Sequence, residues 1–228
     1  MSGMAKTKLL VLGGSGRTGV HVLIEAAKRD HPVRALVRDP AALGALGLPK
    51  SVELIQGSPT NIDDIRRAID GAEAVIDVLN NSRASDNPWA KPVSPPTFMA
   101  DAVRDVLAVM GERGISRIVV TSSQGVGDDW ARLNPILRTL ISLSNIKLAF
   151  ADHNEVDRLD RASSTDWTLV RAVGLTDKPA AGPTQAAEAG AEKPRMWLNR
   201  TDLARFLLDA LESDKWIRKT PLVWNAKR

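Results

Sequence analysis

The sequence predicts an α/β fold, a mostly parallel sheet with helices on both faces, and three observations carry that expectation. Short apolar runs of four or five residues alternate with longer stretches whose apolar residues recur at helical spacing. A cluster of glycines joins the first apolar run to the first helical stretch. No segment reaches the roughly 18 consecutive apolar residues that read as a membrane span. With 228 residues the chain is long enough for one domain with a full core.

Residues 9–12 read as a buried strand, and Val20, Leu23, Ile24 and Ala27 then mark one face of a helix. A second strand over 33–37 leads to a short helix near 41–46. The third strand is 53–56, after which Asn61 is placed to cap a helix carrying Ile62, Ile65 and Ile69 on one side. Residues 74–78 form the fourth strand. A polar stretch, 80–91, ends at Ser94-Pro95-Pro96, which reads as a serine cap with proline in the first helical turn. That helix buries Val103, Val106, Leu107 and Met110. The fifth strand is 117–121, an irregular segment spans 125–134, helical pieces fill 135–162, and 167–170 is the sixth strand. Residues 178–194 hold six alanines, three prolines and two glycines with little to bury, so a mobile loop is expected. Asn199 caps a helix with Leu203, Phe206, Leu207 and Leu211, and 222–224 closes the sheet. The whole chain, 1–228, reads as a single domain with a small substrate-side lobe from loops at about 80–97, 124–148 and 175–196.

Composition removes several chemistries. Without cysteine there are no disulfides, thiol nucleophiles, iron–sulfur clusters or cysteine zinc sites; without tyrosine, no mechanism uses a phenol. Lys plus Arg number 31 against 27 Asp plus Glu, a net charge of +4. The basic clusters, Arg66-Arg67 and 215–219, are short and lack interleaved stacking aromatics, so no nucleic-acid partner is expected. The first apolar run stops at Gly13, too short for a signal-peptide core. A cytoplasmic protein with no membrane partner, monomeric or homodimeric, is the expectation.

The sharpest motif is Gly13-Gly14-Ser15-Gly16-Arg17-Thr18-Gly19, between the first strand and the first helix. Gly14, Gly16 and Gly19 satisfy the dinucleotide fingerprint in the strand–turn–helix setting it requires, as the opening of a Rossmann-type unit. Glycine there permits an unusual turn, close approach of backbone to pyrophosphate, and tight helix-to-strand packing. The helix N-terminus adds amide donors and partial positive charge. At the end of the second strand an acidic residue would hold the ribose hydroxyls of NAD, whereas an arginine would pair with the 2′-phosphate of NADP. The chain offers Arg38 and then Asp39. Arg38 comes first and Arg17 lies close by, which favours NADP (as NADPH) over NAD.

These motifs, with Thr121-Ser122-Ser123 after the fifth strand, Asp166-Trp167-Thr168-Leu169-Val170-Arg171 at the sixth and the late helix from Asn199, resemble the atypical short-chain dehydrogenase/reductases. Within these the chain is similar to the NAD(P)H-binding, NmrA-like group that includes the flavin reductase/biliverdin reductase B proteins, over nearly its whole length. The resemblance implies that Gly13, Ser15, Gly16, Arg17 and Thr18 form the pyrophosphate-binding turn. It also implies that Arg38 contacts the 2′-phosphate, that Leu79 lies along the path from adenosine to nicotinamide, and that Ser122 is the active-site serine. Three departures stand out. The Tyr-x-x-x-Lys pair of typical members falls at Ala149 and His153. Ala172 stands where a proline follows the strand-six arginine, and Gly174 where flavin and biliverdin reductases carry a histidine.

A hydroxyl at Ser122 can orient a nicotinamide or a substrate carbonyl, and serine at a strand end can equally bond local backbone, as can Ser123. His153 sits on a helix that in the family faces the cofactor, where an imidazole can donate to ribose or relay a proton near neutral pH. His21 and His31 read as structural or solvated. Asp77 reads as a satisfied strand-end carboxylate, and Trp89 and Trp130 are candidates either for the walls of an aromatic pocket or for the loops' own small core. Reduction of a ketone needs a proton donor at the developing alkoxide, and the usual tyrosine is absent. A conjugated small-molecule acceptor such as a flavin, quinone or tetrapyrrole can instead take its proton from solvent. An NADPH-dependent reductase of such acceptors, with Ser122 and His153 as candidate catalytic residues, is the first expectation. A non-catalytic NAD(P)H-sensing regulatory or assembly protein is the alternative.

Overall fold

The computed structural model describes residues 6–179 and 182–227. Strand β1 (Leu9–Leu12) is buried along its whole length because both of its faces are covered. Leu9 and Val11 point into one core with α1 (Gly19–Lys28) and α7 (Arg200–Leu211). Leu10 and Leu12 point into the other, with α3 (Ile62–Ala68), α4 (Phe98–Arg113) and α6 (Ile146–Ala162), which follows the short α5 (Pro135–Leu143). The remaining strands are β2 (Val33–Val37), β3 (Val52–Gln56), β4 (Ala74–Asp77), β5 (Arg117–Ser123), β6 (Asp166–Ala172), β7 (Gly174–Thr176), β8 (Thr184–Glu188), β9 (Trp197–Asn199) and β10 (Pro221–Asn225).

The main sheet runs β3-β2-β1-β4-β5-β6-β10-β8, parallel throughout except for β8, which pairs antiparallel with β10. The chain starts in the middle, steps outward to β3 and returns on the other side of β1 to β4. That reversal opens a crevice above the carboxyl ends of β1 and β4, where open α/β sheets bind ligands. The doubly wound, mostly parallel fold expected from the sequence is therefore present.

Local chemistry explains most boundaries. Asn61 accepts from Asp63 N and Asp64 N at the start of α3, and Asn199 from Thr201 N and Asp202 N at the start of α7. Asp39 accepts from Ala42 N and opens α2 (Pro40–Gly44). Two expectations are corrected. Ser94 is not the cap of α4: its hydroxyl accepts from Ser82 N, and the helix begins four residues later, at Phe98. The carboxylate that serves that N-terminus comes from another helix, Asp152 of α6, which accepts from Met99 N and Ala100 N. The stretch 178–194 is not simply a mobile loop, because β8 lies in it and its backbone is satisfied by pairing from Pro221↔Glu188 to Asn225↔Thr184. Residues 180 and 181 of that stretch lie outside the described residues. A two-stranded parallel sheet of β7 and β9, not foreseen, stands beside the crevice. Among the described residues no helix is long and apolar enough to cross a membrane.

Candidate active site

The glycine loop is shaped by contacts that exclude side chains. Gly13 has φ +75°, and a Cβ there would lie 2.8 Å from the Val78 carbonyl group; a Cβ on Gly19 would run into the Gly13 oxygen and sit 2.7 Å from Gly14 Cα. Gly16 differs, since its nearest obstacle is the Gly13 oxygen at 3.2 Å, with open space beyond. Gly13 and Gly19 thus pack the turn, and Gly16 leaves room above it. The amides of Ser15, Arg17 and Thr18 make no backbone hydrogen bond, and Thr18 places no side-chain cap on α1. An anion-sized cradle with unused donors at a helix N-terminus fits a pyrophosphate.

Arg38 is exposed at the end of β2, and its neighbour Asp39 is committed to capping α2. Of the two residues considered for the adenosine ribose, the arginine is the free one. Arg17 is exposed but engaged: its guanidinium donates to both oxygens of Asp86, at 3.1 and 2.9 Å, across to the loop that follows β4. Hydrogen bonding to Asp86 raises its pKa.

Beyond the glycine loop the crevice widens into a cavity of about 850 Å³, bordered by Thr18, Leu79, Ser122, His153, Leu175 and Trp197. It brings together Leu79, Ser122 and His153 from three distant parts of the chain. Ser122 is buried, and its Oγ has no hydrogen-bond partner. His153 is 8% exposed with Nδ1 likewise unpartnered. Burial pushes the imidazole down to about 4. The ring is therefore neutral at pH 7, and the expectation that it relays a proton near neutral pH is corrected: it offers one N–H and one lone pair, not an acid. Both residues line the cavity, and each has a buried polar atom left unpaired.

The aromatic walls are also corrected. Trp89 is 60% exposed and outside the cavity; Trp130 packs edge-to-face on Phe150, with ring centroids 6.0 Å apart, and lines a different, outer hollow. The cavity's indole is Trp197, in β9, lying against Gly174 of β7, where a Cβ would come within 3.0 Å of its ring. Sequence spacing gave no reason to single it out, because β9 has three residues and its position depends on pairing with β7.

Several other candidates serve the fold. His31 bonds the Thr7 carbonyl and Glu212, and His21 bonds Thr201. Asp77 accepts from Leu79 N and is pushed up to about 7 by burial. Arg171, fully buried, binds Asp157 and Asp128, and anchors the segment after β5 to α6. Asp152 holds Asn81 of the β4 loop as well as the α4 amides. No group of three or more His, Cys, Asp or Glu side chains among the described residues is arranged to hold a metal ion.

Residues 13–214 match the family model described as NAD(P)H-binding. The chain belongs to the NAD(P)H-binding family. Within the curated proteins it is 38% identical over 88 residues to the isoflavone reductase homolog IRL of Zea mays, covering 36% of this chain and 28% of that one. The chain thus spans under a third of the length of that relative. It is 22% identical to the uncharacterized sugar epimerase YhfK of Bacillus subtilis over 90% of this chain and 88% of that one. Among solved structures, the anaerobillin reductase ChuY of Escherichia coli O157:H7 superposes with TM-score 0.78 at 19% identity, covering 97% and 98% of the two chains. A short-chain dehydrogenase/reductase of Veillonella parvula in complex with NADP gives TM-score 0.75 at 15% identity, covering 96% and 94%. The resemblance to atypical short-chain dehydrogenase/reductases is borne out in family and fold. This NAD(P)H-binding protein carries the family's glycine loop on a chain with no tyrosine at all.

Proposed function

We propose that the protein is an NADPH-dependent reductase that passes hydride to a conjugated small-molecule acceptor, a flavin, quinone or tetrapyrrole-like ring. The observation that carries this is the cavity itself: it adjoins the glycine loop at the sheet's switch point, its walls are largely apolar, it has no tyrosine, and burial leaves its histidine neutral at pH 7. The bound cofactor supplies the hydride. Ser15, Gly16, Arg17 and Thr18 hold its pyrophosphate, and Arg38 meets the 2′-phosphate. Leu79 and Val173 exclude water from the nicotinamide side of the cavity. Ser122 Oγ donates to a carbonyl, of the nicotinamide or of the acceptor, and the neutral His153 ring fixes a second polar atom nearby. An acceptor that spreads the arriving charge over a ring system takes its proton from solvent, so the missing phenol is not a defect for that substrate class. The isoflavone reductase homolog and the anaerobillin reductase among the similar proteins support an aromatic or tetrapyrrole acceptor.

The test is to titrate NADPH and NADH by tryptophan quenching and then follow loss of the nicotinamide absorbance with flavin, quinone, biliverdin and simple aldehyde acceptors. Turnover on conjugated acceptors and not on the aldehyde is expected. Tight NADPH binding with no turnover on any of them would sink the reductase reading in favour of a cofactor sensor.

A further inference from the structure

Four cationic side chains line the cavity, Arg83, Arg132, Lys193 and Arg195, and no aspartate or glutamate does. Chance placement does not account well for this, because carboxylates are nearly as numerous as cations in the chain, 27 against 31. Three arginines outside the cavity lining are neutralised. Arg17 pairs with Asp86, Arg171 with Asp157 and Asp128, and Arg200 with Asp177. By contrast Arg83, Lys193 and Arg195 have no carboxylate within ion-pair distance among the described residues. Arg132 is partly used, donating to the Asp128 carbonyl.

Arg83 is the most telling of them. It is half-buried, its Nε is inaccessible to solvent, and that Nε has no hydrogen-bond partner. Its backbone is pinned by an antiparallel bridge to Pro92, so the side chain is presented by an ordered turn of the β4–α4 loop. The guanidinium lies where the cavity meets the small hollow beside Ala149, the position at which typical members of the resembled family would carry their tyrosine. Lys193 and Arg195 come from a separate segment, the approach to β9, next to Met196 and Trp197. Positive groups gathered from two loops around apolar walls repel one another until an anion joins them.

The cofactor's pyrophosphate does not explain them. Its cradle is at Ser15, Gly16, Arg17 and Thr18, of which only Thr18 lines the cavity, and none of the four cations belongs to that loop. We infer that the acceptor carries a carboxylate or phosphate arm beside its conjugated ring, with the ring against Trp197 and the acid held by Arg83, Lys193 and Arg195. The ring depends on the reductase reading; the charge preference does not, because it concerns binding alone.

Pairs of probes that share a ring and differ in charge test this. In the presence of NADP⁺, binding of FMN and riboflavin is followed by flavin fluorescence, and binding of biliverdin and its dimethyl ester by absorbance. The acid member of at least one pair is expected to bind about tenfold tighter, an advantage that shrinks with added salt, as charge-assisted contacts do. A preference in the FMN pair alone assigns phosphate, and one in the biliverdin pair alone assigns carboxylate. The exposed double variant K193Q/R195Q should bring the ratio towards one while NADP⁺ affinity changes by less than about twofold; Arg83→Gln should act in the same direction. Equal affinity within both pairs, failure of all four probes to bind, or a loss that falls on NADP⁺ instead would each overturn the inference. If the acids bind as expected but NADPH then transfers no hydride to them, the reductase reading fails and the anionic site stands.

Discussion

Replacing Arg38 by alanine separates the two nicotinamide cofactors, and the structure allows the size of the effect to be worked out. Arg38 projects from the end of β2 with no partner among the described residues, and Asp39 accepts from the Ala42 amide. Arg17 cannot fully substitute, since its two terminal nitrogens already bind Asp86 at 3.1 and 2.9 Å. A guanidinium–phosphate contact stabilises a complex by about 1.5–3 kcal/mol. Solvent exposure and salt reduce this to about 1–2 kcal/mol. Arg38→Ala should therefore raise the Kd for NADPH by about 5- to 30-fold and leave that for NADH within about twofold. Tryptophan quenching at low and at raised ionic strength measures both, and the NADPH penalty should shrink with salt. An equal loss for both cofactors, or no loss for NADPH, would refute the assignment of Arg38 to the 2′-phosphate.

Three further outcomes follow from the packing. Asp152→Ala strips a buried carboxylate from Met99 N, Ala100 N and Asn81 Nδ2, at 2.8, 3.0 and 2.8 Å. A cost of about 3 kcal/mol is expected, lowering Tm by roughly 6–12 °C, with hydrogen-exchange protection lost first at the start of α4; a Tm within a degree of the parent would count against it. Gly19→Ala should destabilise the fold by about 2 kcal/mol, because its methyl meets the Gly13 oxygen, whereas Gly16→Ala should spare stability and weaken cofactor binding. The reverse pattern in urea denaturation and NADPH titration would contradict the division of roles within the loop. Asp77 keeps its proton up to about 7 when folded and loses it near 3.8 when unfolded. Wild-type stability therefore falls as pH rises through that window, by up to about 4 kcal/mol. Asp77→Asn should be the more stable protein at pH 8 and lose that advantage near pH 4, and a pH-independent difference between the two would show that burial does not hold the proton.

What was legible in the sequence is local or periodic. The continuous apolar run of β1 announces a strand buried on both faces, Asn61 and Asn199 bond amides two and three residues away, and the glycine loop identifies itself by spacing between a strand and a helix. Such signals rest on neighbours along the chain. The Ser94 cap failed for the same reason in reverse: Asp152, 53 residues from Met99, outcompetes local capping once α6 packs on α4.

The site divides along the same line. Strand periodicity and glycine spacing alone determined the glycine turn between β1 and α1 and the strand-end place of Ser122. Composition determined that no phenol takes part. Tertiary structure decided that Trp197, not Trp89 or Trp130, faces the cavity, because β9 owes its position to pairing with β7. It decided that His153 is neutral, because desolvation depends on everything packed around α6 and not on the helix's own pattern. It also decided which cations are left free. Every arginine looks alike in sequence, and only the folded chain shows that Arg17, Arg171 and Arg200 meet carboxylates while Arg83 and Arg195 meet the cavity.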